Sequence, residues 1–188
     1  LITYAPESAS EETLRQIKKK IKIDRLIQSI RTANKIGHTT KFNIVIGFPD
    51  DTLGGILKTA WFVFKMALFG SEDCVVTKFS PYPGSELYRR LRDENKIPPP
   101  DDNYIYSLAG FMDFTRTESY CKEVGGRTLS FLVIVMHAIF YSVAYLTHPK
   151  RIFRVFKSLT KKHFVPSNVL EQRLYDVFMR EKYSAAKN

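Results

Sequence analysis

The chain has 188 residues, 44% of them hydrophobic and 26% charged, which suits one domain with a true core, or a domain with an appendage, rather than a disordered chain. Its two cysteines, Cys74 and Cys121, lie far apart; they exclude a disulfide framework and any zinc or iron–sulfur site built from this chain's thiols alone, and leave a reducing, cytoplasmic setting as the default. The net charge of +10 is concentrated, with 11 Lys and Arg against 3 acids in residues 127–188 but 18 against 16 in residues 1–126.

In chain order, Leu1 to Ala5 reads as the end of a strand, stopped at Pro6-Glu-Ser. Leu1 is not an initiator Met and no signal-peptide pattern precedes it, so the expectation is a piece of a longer protein. Ser8 and Glu11 have capping-box spacing and predict a short helix to Lys20. Asp24 is placed to cap a second helix, with Leu26, Ile27, Ile30 and Ala33 on one face and Gly37 as its stop. Lys41–Ile46 predicts a strand whose end is too continuously apolar to have a wet face. A helix over 52–68 follows, with Leu57, Ala60, Trp61, Phe64 and Leu68 at helical spacing and Gly70 at its end. Cys74–Phe79 predicts another strand, and Ser85 caps a helix through Asn95. Strands alternating with helices predict parallel pairing, in an open α/β sheet or part of a barrel.

Three corners then fall at strand C-terminal ends, where α/β folds leave N–H groups free for ligands: residues 5–10 (APESAS), 47–52 (GFPDDT) and 80–84 (SPYPG). Glu7 is suited to accept two hydroxyls, Gly47 to let a flat group approach the backbone, and Pro81 and Pro83 to stiffen a loop that reads a base edge. Each corner also has a plain structural reading: Glu7 and Ser8 as a helix cap, Gly47-Phe-Pro as a turn, Asp51 as a group complementing a helix dipole. Their recurrence on successive strands favours a nucleoside-like ligand lying across the strand ends.

Taken together, PESAS with ETL and IKKKI, FNIVIGFPDDT and FSPYPGSELYRRL resemble the second half of a radical S-adenosylmethionine (radical SAM) domain, in the class whose members carry a cobalamin-binding domain. The resemblance covers residues 1–97 and implies the second half of a partial (β/α)6 TIM-like barrel. It implies that Glu7, with Ser8 nearby, binds the ribose hydroxyls of S-adenosylmethionine. Val45, Ile46 and Gly47 would pack the adenine and back the methionyl part, while Phe79, Ser80 and Pro81 would contact the adenine through the backbone. Ala9 stands where the family usually has Gly, and Asp50-Asp51 where it has Gly-Glu. The family's three-Cys motif for a [4Fe–4S] cluster and its Gly-Gly-Glu-like stretch belong to the first half of the barrel and are not in this chain. The resemblance therefore implies a missing N-terminal half that holds the cluster, a flavodoxin- or ferredoxin-like reductant, cobalamin in the full-length protein, and inactivity of this chain alone. In the complete enzyme the cluster would cleave S-adenosylmethionine to a 5′-deoxyadenosyl radical for methyl transfer, cyclisation or similar chemistry, with lipid-like substrates among the class's range. A half barrel also leaves an unpaired strand edge.

Residues 98–126 read as a linker and irregular segment. Residues 129–146 carry no formal charge, at the lower limit of a membrane-spanning length, and are followed by Lys150, Arg151, Arg154, Lys157, Lys161 and Lys162 on a segment with Ile152, Phe153, Phe156 and Leu159 at helical spacing. A further amphipathic helix is expected over 168–180. Residues 127–188 thus read as a mostly helical region that anchors on an anionic membrane surface, against the alternative of a buried core helix in which His137 would need an internal partner. His38, His148 and His163 read as isolated surface or structural residues. Two other functional classes compete with this reading. One is a non-catalytic membrane-surface module on a degenerate half barrel. The other, nucleic-acid binding, ranks well below, because the charge is not interleaved with aromatics on a sheet platform.

Overall fold

Three stretches rich in β-branched and aromatic residues form one parallel sheet, in the spatial order β1 (Ile2–Glu7), β2 (Thr40–Ile46), β3 (Asp73–Lys78). The computed structural model describes residues 1–108, 118–159, 168–172 and 175. Tyr4 pairs with Phe42, Phe42 with Cys74 and Ile46 with Lys78, with an irregularity in β1 between Tyr4 and Glu7. The three strands therefore finish at one rim. Side chains alternate along β2: Phe42, Ile44 and Ile46 are buried, while Lys41, Asn43 and Val45 point to the other face and are only half-buried. One face of the sheet is thus covered more fully than the other, a difference from the expectation of a strand without a wet face.

Parallel neighbours need long crossovers. α1 (Glu11–Gln16) and α2 (Ile23–Lys35) connect β1 to β2, and α3 (Leu53–Leu68) connects β2 to β3. The first helix is shorter than expected and is capped by Ser10, whose Oγ accepts from Thr13 N–H at 3.3 Å; Ser8 is not the cap. Asp24 lies inside the first turn of α2, whose cap position is Lys22. α3 forms as expected, but the residues whose spacing marks it are not its buried face. Ile56, Phe62, Val63, Met66 and Ala67 are buried, whereas Leu57, Trp61 and Leu68 are exposed. The helix is apolar nearly all round, so periodicity alone offers two stripes and does not say which meets the sheet.

α4 (Glu86–Asp93) starts at the Ser85 cap, which accepts from Tyr88 N–H at 3.1 Å. α5 (Asp102–Leu108) is a helix within the segment expected to be irregular, and it packs Tyr104 and Leu108 with Tyr88, Leu91 and Ile97 in a small second core. Residues 109–117 lie outside the described residues.

α6 (Gly126–Thr147) is the charge-poor segment, and its inner face belongs to the main core: Leu129, Val133, Met136 and Phe140 pack with Phe42 and the buried face of α3. It also runs along β3, where Val76 N–H donates to His137 Nε2 at 3.3 Å, Lys78 Nζ donates to Ser130 Oγ at 3.0 Å and Tyr141 O–H donates to Asp73 Oδ1 at 2.8 Å. His137 has the internal partner that a core helix requires. α7 (Lys150–Leu159) follows, and two of its cations turn inward. Arg151 donates to the Ser71 and Gly70 carbonyls and pairs with Glu72, and Arg154 pairs with Glu72 and Glu171. The expectations for Lys161, Lys162 and His163, and for the last helix beyond residue 175, lie outside the described residues.

Candidate ligand site at the strand ends

The rim collects the three corners, and each is built differently. At the end of β1, Glu7 adopts φ 66°, a left-handed conformation that a non-glycine residue holds at a cost of about 1–3 kcal/mol. Its carboxylate is partly exposed and pairs with Lys19 at 2.9 Å. Lys19 belongs to the run KKK, in which nothing in the sequence distinguishes it from its neighbours. Ser8 turns away from the rim: its hydroxyl is buried, bonds Thr59 Oγ1 of α3 at 3.1 Å, and accepts from Ser10 N–H. Ser8 thus fastens the loop to α3.

At the end of β2, Gly47 has φ 84°, and a Cβ placed there would lie 2.6 Å from Leu129 Cδ1. The close approach that this glycine permits is taken by α6. Asp51 organises the turn. It is buried; its Oδ2 accepts from the Gly47 and Phe48 N–H groups at 2.8 and 3.0 Å, and its Oδ1 accepts from Thr13 O–H at 2.8 Å. Burial pushes the Asp51 pKa up, opposed by these hydrogen bonds. Thr52 then caps α3 by accepting from Gly55 N–H. Asp50 points outward between Arg90 Nη1 at 2.7 Å and Lys122 Nζ at 2.8 Å, which hold its pKa down to about 2. Asp51 and Asp50 thus close the turn from inside and out.

Val45 and Ile46 face opposite sides of the sheet, so their side chains cannot line one pocket. Ile46 is in the core and its carbonyl accepts from Phe79 N–H, leaving Val45 on the less covered face. Beside it on that face, Asn43 Oδ1 is buried without a hydrogen-bond partner among the described residues, a feature that the alternation of β2 could have flagged.

At the end of β3, Phe79 is half-buried between Phe48 and Tyr120, and Ser80 shares with Phe79 the wall of an open groove of about 770 Å³ that reaches across to α4 and the loop after α1. Pro81 is buried, and its carbonyl accepts from Tyr104 O–H, so that group is not free for a base edge. Burial also raises the Tyr104 pKa. Tyr104 carries no spacing that would have marked it. The structure thus brings Glu7, Val45, Gly47, Phe79 and Ser80 to one rim, while Ser8, Ile46 and Pro81 are engaged in the fold.

No group of three His, Cys, Asp or Glu side chains among the described residues is placed to hold a metal ion. Cys74 is buried, with its thiol pKa pushed up by desolvation, and Cys121 donates to the Asp51 carbonyl.

No family model matches the chain. It is similar to the "Uncharacterized methyltransferase PH0819" of Pyrococcus horikoshii, 32% identical over 87 residues, which are 46% of this chain and 18% of that protein. The chain thus matches less than a fifth of that relative's length.

Proposed function

We propose that the rim is the adenosyl side of an S-adenosylmethionine site in an enzyme of the radical SAM class, and that the three-stranded sheet is one part of its partial (β/α)6 barrel. The observation that carries this reading is Glu7, a partly exposed carboxylate kept in a left-handed conformation at a strand end, paired with Lys19. Such strain persists where the surrounding structure enforces it, often at ligand sites, and one carboxylate can accept both hydroxyls of a ribose. Two further observations support it. Parallel strands adjacent in chain order suit a barrel segment, and the similarity to a protein named as a methyltransferase fits a S-adenosylmethionine-related activity.

The residues fit the adenosyl group from one side only. Leu129 closes the approach over Gly47, so the open route is the less covered sheet face, where Val45 offers apolar contact. Phe79, partly exposed, offers a ring for stacking. Bound there, S-adenosylmethionine would supply the group transferred or the radical chemistry; this chain would hold the ribose and shield the base from water. The [4Fe–4S] cluster does not fit the described residues of this chain, and its thiolates belong to an N-terminal half of the same protein in this reading. Cobalamin and a flavodoxin- or ferredoxin-type reductant belong to the complete enzyme, and a cytoplasmic location suits its need for reduced iron and sulfur.

Equilibrium dialysis against S-adenosylmethionine tests the site. The wild-type chain is expected to bind saturably, and Glu7→Gln, which keeps size and removes charge, to bind about tenfold more weakly with an unchanged circular dichroism spectrum. Equal binding by the two proteins would remove Glu7 from the site. A second reading, a non-catalytic scaffold, is favoured by Leu129 over Gly47 and by the Tyr104 bond to Pro81. It predicts no binding by either protein.

A further inference from the structure

α3 turns away from the core a stripe of Leu53, Leu57, Trp61, Phe64 and Leu68; Trp61 is 59% exposed and stacks on Phe64. α2 lies on one flank of α3, where Arg31 stacks on Phe69 and Asn34 Nδ2 donates to the Phe69 carbonyl. α6 packs against α3 elsewhere, and helical spacing puts Leu53, Ala60 and Phe64 on the flank opposite Phe69. On α6, Phe131 is 64% exposed, and Ile134, Val135, Ile139 and Leu146 are also wholly or partly uncovered. The two stripes therefore adjoin in one outward apolar band, larger than scattered surface leucines require.

The charges on the helices that carry the band have one sign. α3, α6 and α7 contain no Asp or Glu. Lys58, Arg127 and Lys150 are exposed and Lys65 is partly so. Glu123, the carboxylate at the start of α3, accepts from Leu53 N–H.

We infer that the α3–α6 layer is a docking surface for an anionic lipid bilayer, lying in the headgroup plane with the apolar band inserted and the cations at the phosphates. Charge selects this occupant: a second copy of the chain would set Lys58, Lys65 and Arg127 against their own kind. α6 is long and apolar enough to cross a membrane by length and composition, yet its inner face is held by Val76, Lys78 and Asp73. It therefore lies on the bilayer while staying part of the domain. This assignment is independent of the strand-end site.

Trp61 is the chain's single tryptophan, so its fluorescence reports the band alone. The full chain mixed with phosphatidylcholine–phosphatidylglycerol vesicles should show a blue-shifted Trp61 emission, quenched by brominated acyl chains, and weakened by salt. Pure phosphatidylcholine vesicles should give a much smaller change. Leu57→Glu and Phe131→Glu, both at exposed positions on different helices, should each lower vesicle partitioning about tenfold while thermal melts stay close to wild type. The assignment is overturned if anionic vesicles leave the emission unchanged, or if the blue shift appears without vesicles and grows with protein concentration, which would mark a self-association surface. Undiminished partitioning by both variants would overturn it too.

Discussion

Glu7 holds its left-handed backbone although its side chain makes one ion pair at the surface, with Lys19. Replacing it with glycine removes the Cβ penalty and that pair together. Glu7→Gly is expected to leave the stability in urea denaturation within about 0.5 kcal/mol of wild type, because relief of about 1–2 kcal/mol of left-handed strain offsets the lost surface ion pair and the greater freedom of glycine in the unfolded chain. A larger loss of stability would show that the conformation is not strained and would weaken the case for a site there. Legibility at this scale followed chemistry that is local in sequence. Ser85 as a cap was readable, because its partner lies three residues on, whereas Asp51, read as a group complementing a helix dipole, closes the turn onto the Gly47 and Phe48 N–H groups. Ser8 reads as the cap because it alone has a Glu three positions on, whereas the structure caps the helix with Ser10 and draws the Ser8 hydroxyl to Thr59, 51 residues away. Lys19, Tyr104 and Leu129 reach the rim through long-range packing that no spacing announces.

Among the elements, the helices were located well and their orientation less so. α3 shows why: two apolar stripes on one helix satisfy the same periodicity, and the choice is made by which face meets Phe42 and Phe140. The basic segment of α7 shows the converse. Its cations read as the basic part of a membrane-surface anchor, but Arg151 and Arg154 are tied to Glu72 and to the Gly70 and Ser71 carbonyls, joining α7 to the turn between α3 and β3. Arg151→Leu is expected to destabilise by about 3 kcal/mol, since it leaves a buried Glu72 short of a partner. A melt within error of wild type would mean that this junction is not part of the cooperative unit.

For the whole molecule, the alternation of strands and helices was enough to establish a parallel α/β sheet in chain order. It was not enough to place α6, whose composition suits a bilayer as well as a core. Both environments exclude water from an apolar face, and only the bonds to Val76, Lys78 and Asp73 show the helix docked on β3. The functional reading rests on the rim, where the strained Glu7 carboxylate ends β1 and the partly exposed Phe79 ring follows β3. In the proposed reading a site made by this chain should recognise the nucleoside and not the amino acid, for which that reading assigns no group to this chain. The most direct measurement is competition in equilibrium dialysis with labelled S-adenosylmethionine. Adenosine is expected to displace the label, and methionine at the same concentration to leave it bound. Displacement by methionine alone, or by neither compound, would contradict an adenosyl site at the strand ends.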